Sequence, residues 1–320
     1  MELTSTQKRA LEMFDQLARS EGSANKAAAK IGISSAAISS IKNGTYAGNV
    51  ENQLDKLIAY FNTKAAAADV YQEQEYVPTS ISAAAFETIR TCKIKGGFSL
   101  ITGHAGIGKT KAVQEFHRQN PIDSIVVTVN PCCKSTKSLL KLIALQLGAQ
   151  LAASTDDLWF NVCAKLHDGM VIIIDEGQLL TYHGLETVRS FSDYFADRGQ
   201  TLGVAIVGNN GIRERIEGKT KDSYRQINNR TWQRRYFETK DVQYHDIEQL
   251  FPILTAEDKT KELAFLHKVA QSAEGIRGAV RLFGNAYDAE AYDLEGLANM
   301  AKFINAAFAE IIQTLSMLWE

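Results

Sequence analysis

The chain has 320 residues, of which 45% are hydrophobic and 22% charged, enough for two or three domains. Its 35 Lys and Arg against 37 Asp and Glu leave a net charge of -2, which excludes a uniformly basic nucleic-acid coat, so any DNA surface must be local. No apolar run reaches the roughly 18 residues that span a bilayer and no signal-peptide core opens the chain, so it reads as soluble, intracellular and without a membrane partner.

Residues 1–64 alternate short amphipathic helical patterns with Gly turns and carry eight Lys/Arg against six Asp/Glu. Within them, Asn25 to Gly44 has the shape of a helix-turn-helix. Ala28 is small where two helices approach, Gly32 permits the turn, and Ile31, Ile33, Ile38 and Ile41 supply a core. Ser34 caps the second helix, whose outward face presents Ser35, Ala36, Ser39 and Lys42 to a major groove. Such short side chains favour phosphate-led, weakly sequence-selective contacts. A small helical bundle for protein contact is the alternative reading. Residues 65–80 lose the apolar period and end near Pro78, as a linker does.

From residue 81 strand-length apolar runs alternate with helical stretches: GFSLIT, SIVVTVN, MVIIIDE and LGVAIVG. This predicts an α/β core over 81–240, a parallel sheet buried on both faces between helices. The first run leads into Gly103-His104-Ala105-Gly106-Ile107-Gly108-Lys109-Thr110, which fits G-x-x-x-x-G-K-[ST] at every fixed position. Its glycines let the backbone turn its N–H groups onto phosphate oxygens, and the following helix points its positive end at the same anion. Lys109 is expected at the β and γ phosphates of ATP and Thr110 on Mg²⁺.

Cys132 and Cys133 follow the second run; the four cysteines show no C-x-x-C spacing and read as buried structural thiols. The third run ends in Asp175-Glu176, 66 residues beyond Lys109. Asp175 is placed to orient Mg²⁺ and Glu176 to act as general base on the attacking water. The fourth run ends in Gly208-Asn209-Asn210, and Asn209 is the candidate for a γ-phosphate contact, a plain turn being the alternative.

Residues 211–240 hold nine Lys/Arg against four Asp/Glu. One reason for such clustering is an arginine finger offered to a neighbouring protomer's nucleotide, with Arg230 first and Arg234 second; the other is contact with DNA phosphates. Residues 241–320 are acidic, six Lys/Arg against thirteen Asp/Glu, and read as a helical lid. There Arg281, in preference to Arg277, is the candidate to report the γ-phosphate.

Taken together, KAAAKIGISSAAISSIKNGTY, GHAGIGKT, VNPCCKS, VIIIDEGQ, VAIVGNN, NNRTWQRR and GIRGAVR, in that order, resemble the AAA+ ATPases of DNA transposition, and within them the phage Mu transposition-protein-B family. Gly177 departs from the Ala common in that family after the acidic pair. The resemblance implies an ATP- and Mg²⁺-dependent, largely sequence-nonspecific ATPase. It would form helical filaments of many copies on double-stranded DNA in the bacterial cytoplasm, capture target DNA and deliver it to a DDE transposase, with hydrolysis driving disassembly. It also implies a DNA surface inside the filament, for which Lys134, Lys137, Arg189, Lys219 and Lys221 are candidates. The rival readings are an ATP-regulated transcriptional regulator reading one operator and a helicase-loader-like switch on a protein partner.

Overall fold

The computed structural model describes residues 3–68, 71, 76–217 and 224–304, and for 66–68 the backbone alone. The chain divides into two compact units, 1–72 and 73–320. No helix among the described residues is long and apolar enough to cross a membrane.

The first unit is all helical: α1 (Ser5–Ser20), α2 (Ala24–Ile31), α3 (Ser35–Lys42) and α4 (Val50–Ala68). Its core joins Leu11 and Phe14 of α1 to Ala27 and Ala28 of α2, Ile38 and Ile41 of α3, and Leu54, Leu57 and Phe61 of α4. Helix α2 stops at Gly32, whose φ of 74° is left-handed, and the Ile33 N–H returns to the Ala28 carbonyl at 3.0 Å. Two residues later Ser34 accepts the Ala37 N–H at 3.0 Å and starts α3. The turn between the helices is therefore encoded by one glycine and one serine. Ile31 is only half buried, so the core rests on the other three isoleucines and the two alanines.

In the second unit α5 (Ser80–Lys95) leads into β1 (Gly97–Gly103), α6 (Lys109–Gln119) and β2 (Ser124–Thr128). The helices α7 (Thr136–Leu147) and α8 (Thr155–Cys163) precede β3 (Met170–Asp175), and α9 (Tyr182–Ala196) precedes β4 (Leu202–Gly208). Then come α10 (Asn210–Glu217), α11 (Arg225–Arg230), β5 (Thr231–Phe237), α12 (Tyr244–Leu250), α13 (Pro252–Ala256), α14 (Thr260–Gln271), α15 (Gly275–Asp288) and α16 (Leu294–Ile304). The sheet is parallel with order β2-β3-β4-β1-β5. Every residue of β3 and β4 is buried, because α5 and α6 cover one face and α7 to α11 the other. That double covering is why these runs read as continuously apolar.

Two expectations need correction. The Arg-rich stretch NNRTWQRR contains a strand, β5, which sequence patterning misses: an edge strand with one neighbour tolerates Gln and Arg, and Trp232 is left largely exposed. The thiols are not alike either. Cys92 and Cys163 are buried, and burial pushes them up to about 11 and about 12. Cys132 is exposed and Cys133 half-exposed on the loop after β2.

The sheet and α5 meet closely at Gly203, where a Cβ would lie 2.5 Å from the Cys92 carbonyl oxygen. Backbone cannot step aside as a side-chain tip can, so Gly203→Ala should lower unfolding free energy by about 1–3 kcal/mol. Denaturant titration of the full chain checks this, an unchanged midpoint counting against the close packing.

Candidate nucleotide site

The phosphate loop joins β1 to α6 along the carboxyl edge of the sheet, where ligands sit in open parallel sheets. Gly106 and Gly108 take φ values of 75° and 97°, left-handed conformations that side chains resist. Ile107 between them is fully buried and anchors the loop, while Gly108 starts α6 without any side-chain cap. Gly103 must be glycine for a second reason: a Cβ there would lie 2.3 Å from the Phe237 carbonyl oxygen at the end of β5. Lys109 folds back over the loop and donates to the carbonyls of Gly103 at 3.0 Å and His104 at 2.5 Å. Burial holds its ammonium down to about 8, against the opposing pull of Asp175 and Glu176 and with a smaller push from Arg277.

Strand β4 lies between β1 and β3, so the ends of all three strands face one crevice. Across it the Thr110 hydroxyl donates to Asp175 Oδ2 at 3.0 Å. Asp175 also accepts the Glu176 N–H at 2.9 Å; burial nevertheless raises its carboxyl above the ordinary range. A hydroxyl and a carboxylate converging in this way form a hard-oxygen donor set that suits Mg²⁺. Glu176 is exposed and has φ 57°, an uncommon left-handed position for a residue other than Gly or Asn. Its carboxylate accepts from Gln178 Nε2, and Gln178 Oε1 accepts the Asn209 N–H at 3.1 Å. Asn209 itself forms the turn weighed as an alternative: its Oδ1 accepts the Gly211 N–H at 2.9 Å. Gly177 is buried in the same turn, and a Cβ there would lie 2.5 Å from Ile206 Cγ2, which accounts for glycine where the resembling family has alanine.

The helices after β5 close on the loop from the other side. The Arg277 N–H donates to the Gly106 carbonyl at 2.9 Å, and Gly275 leaves room for the Ala105 carbonyl, which a Cβ would approach to 2.9 Å. Arg277 is thus bonded to the loop through its own backbone, and its side chain is exposed, as is that of Arg281 one helical turn further along α15. His104 Nδ1 accepts the Thr239 N–H at 3.2 Å, tying the loop to the segment that follows β5. At the start of α5, Thr79 Oγ1 and Ser82 Cβ lie 3.7 Å from the Cβ position of Gly108, and Ser80 donates through N–H and hydroxyl to buried Asp246 of α12 at 2.6 and 2.9 Å. Residues 76–82 therefore border the site, a role that neighbours in sequence do not signal; only the Pro78-Thr79 helix start is visible in advance.

The two finger candidates, Arg230 and Arg234, are engaged within their own chain. Arg230 pairs with Asp193 at 3.2 Å, with its side chain about half exposed. Arg234 donates to the Asn228 carbonyl at 2.8 Å and lies 3.6 Å from Glu217. Arg189, a candidate for DNA, is mostly covered and paired with Glu186 and Asp193. Lys134 and Lys137 are exposed at the carboxyl end of β2, on the same sheet edge as the loop. Lys219 and Lys221 lie outside the described residues. In the first unit Ser39 is exposed, Ser35 donates to Asn25, Ser34 is spent on its cap, and Lys42 pairs with Asp15 at 2.5 Å.

Residues 93–216 match the family model described as an AAA domain, a stretch that takes in the phosphate loop and the acidic strand end, and the chain is an ATPase that binds nucleotide. Over most of its length it is similar to Mu-like prophage FluMu DNA transposition protein B of Haemophilus influenzae, at 28% identity over 268 residues, 81% of this chain and 88% of that protein. It is similar also to the ATP-dependent target DNA activator B of Escherichia phage Mu, at 23% identity over 286 residues, 88% of this chain and 87% of the relative. Among solved structures, Cdc6p from Pyrobaculum aerophilum overlays with a TM-score of 0.49 at 15% identity, covering 72% of this chain and 69% of that one. The resemblance drawn from the motifs is thus matched by whole-chain similarity.

The state of Lys109 gives a pH signature. Without nucleotide the ammonium loses its proton near pH 8; beside a triphosphate the charged form is favoured and the proton is retained. Nucleotide affinity should therefore be greatest below that pH and fall by up to about tenfold per unit above it, with a proton taken up on binding. Calorimetric titration at about pH 8.5 in two buffers of different protonation enthalpy measures the uptake; none at all would contradict the burial of Lys109.

Proposed function

We propose that this chain is an ATP- and Mg²⁺-dependent DNA-binding ATPase of transposition. It assembles on double-stranded DNA as a helical filament of its own copies, captures target DNA and passes it to a DDE transposase. The observation that carries the reading is the Thr110–Asp175 contact: a phosphate-loop hydroxyl and an acidic strand end meet in one crevice, in a chain similar over most of its length to transposition proteins. The organisation that goes with it is a helix-turn-helix DNA-binding domain at 1–64, a linker at 65–80, an ATPase core at 81–240 and a helical lid at 241–320.

In this reading the loop amides and Lys109 hold the β and γ phosphates, and Thr110 and Asp175 hold Mg²⁺. The metal, when bound, supplies charge neutralisation at the phosphate oxygens. Glu176 accepts a proton from the attacking water, which its exposed carboxylate can reach. Asn209 keeps its side-chain NH₂ for the γ-phosphate while its Oδ1 caps α10. Arg281 reports the phosphates from the lid, with Arg277, bonded to the loop through its backbone, as the alternative.

Arg230 or Arg234 acts on a neighbouring protomer's nucleotide, which requires exchange of the Asp193 or Glu217 partner for phosphate. The DNA surface draws on Ser34, Ser35, Ser39 and Lys42 of the first unit and on Lys134, Lys137 and Arg189, with Lys219 and Lys221, in the second. Such contacts neutralise phosphates and so weaken with salt.

The variants Lys109→Ala and Glu176→Gln separate binding from hydrolysis. Lys109→Ala should neither bind ATP nor be retained on duplex DNA, whereas Glu176→Gln should bind ATP, hydrolyse it at least about a hundredfold more slowly and stay on the DNA. Steady-state ATPase assays with co-sedimentation on duplex DNA measure both. Normal hydrolysis by Glu176→Gln refutes the base assignment. A footprint confined to one preferred sequence favours the operator-reading regulator instead.

A further inference from the structure

Gln178 is the second residue beyond Glu176, in the short 3₁₀ turn Gly177–Leu179 that follows β3. Its side chain makes two bonds in opposite directions. The Nε2 donates to Glu176 Oε2, and the Oε1 accepts the backbone N–H of Asn209, at the tip of β4, at 3.1 Å. The turn that carries it is itself fixed. Arg215 of α10 donates to the Gln178 carbonyl at 2.9 Å and to the Leu180 carbonyl at 2.7 Å. The fit against β4 is close, since a Cβ on Gly208 would lie 2.5 Å from Gln178 Oε1. Glu176, by contrast, is exposed and on a left-handed backbone, so little else confines its carboxylate.

We propose that Gln178 is a positioning residue that holds the Glu176 carboxylate in one orientation and couples it to the tip of β4. This rests on the reading of Glu176 as general base. An amide donor on one carboxylate oxygen removes rotational freedom from the side chain and leaves the second oxygen to accept from water. Because the other end of the amide is bonded to backbone, a displacement of Asn209 toward a bound γ-phosphate is transmitted through Gln178 to the base. The order of the sheet makes this possible: β3 and β4 are adjacent, so one glutamine side chain spans their tips. A shorter or donor-free side chain cannot hold both ends.

The test is ATP hydrolysis and ATP binding by full-length Gln178→Ala and Gln178→Glu beside wild type and Glu176→Gln. Gln178→Ala should lower kcat by about tenfold with KM and nucleotide Kd within about twofold and an unchanged melting temperature. Gln178→Glu, which sets a second carboxylate beside the first, should lower kcat at least as far while still binding ATP. If the rate is normal in Gln178→Ala and lost in Glu176→Gln, the positioning role is wrong and the base assignment stands. Affinity and melting temperature falling in step with the rate would reduce Gln178 to a structural residue and also overturn the proposal. Normal hydrolysis by Glu176→Gln would instead remove the base reading beneath it.

Discussion

A single strand of separation organises this ATPase domain. With β4 inserted between β1 and β3, the phosphate loop and the acidic strand end stand two strand spacings apart, about 10 Å. That gap is closed at its mouth by the Thr110 hydroxyl on Asp175. Adjacent strands would crowd Lys109 against the carboxylates, and a wider gap would leave Thr110 and Asp175 out of mutual reach. The tip of β4 falls in the middle, which is why Asn209 and, through it, Gln178 can address both sides. The close backbone approaches at Gly103, Gly177 and Gly208 are what such convergence requires of a chain, since each admits a neighbour that a side chain would exclude.

Much of this was legible in the residues. The apolar runs that became β3 and β4 are buried on both faces and that of β1 nearly so, which gives them an unmistakable composition, and the phosphate loop announces itself by glycines whose conformations the structure then displays. The edge strand β5 was not legible, because Thr231–Phe237 has one sheet neighbour and an exposed pattern that resembles a charged loop. Residues 76–82, Thr239 and Arg277 join the site only through contacts between elements far apart in sequence. Arg277 and Arg281 sit four residues apart in one helix, and periodicity cannot tell which turn of that helix meets the loop. Gln178 was in plain view in D-E-G-Q, yet its meaning depends on β3 and β4 being neighbours.

Three arginines of the ATPase unit are held by acidic groups of their own chain. Arg230, Arg234 and Arg189 each have acidic partners within their own chain, and Lys109 is bonded to loop carbonyls. The pairs of surface arginines are individually weak, on the order of 1 kcal/mol or less, and exchange at little cost. Half-buried Lys109 is the exception, its ammonium held down to about 8 by desolvation.

Occupancy of the phosphate loop, on this reading, governs attachment to DNA. Fluorescence anisotropy of a labelled duplex titrated with the full chain, with a nonhydrolysable ATP analogue and without nucleotide, tests this directly. The account predicts at least about tenfold tighter binding with the analogue, together with growth of the complex along the duplex. Equal affinity in the two titrations would contradict it.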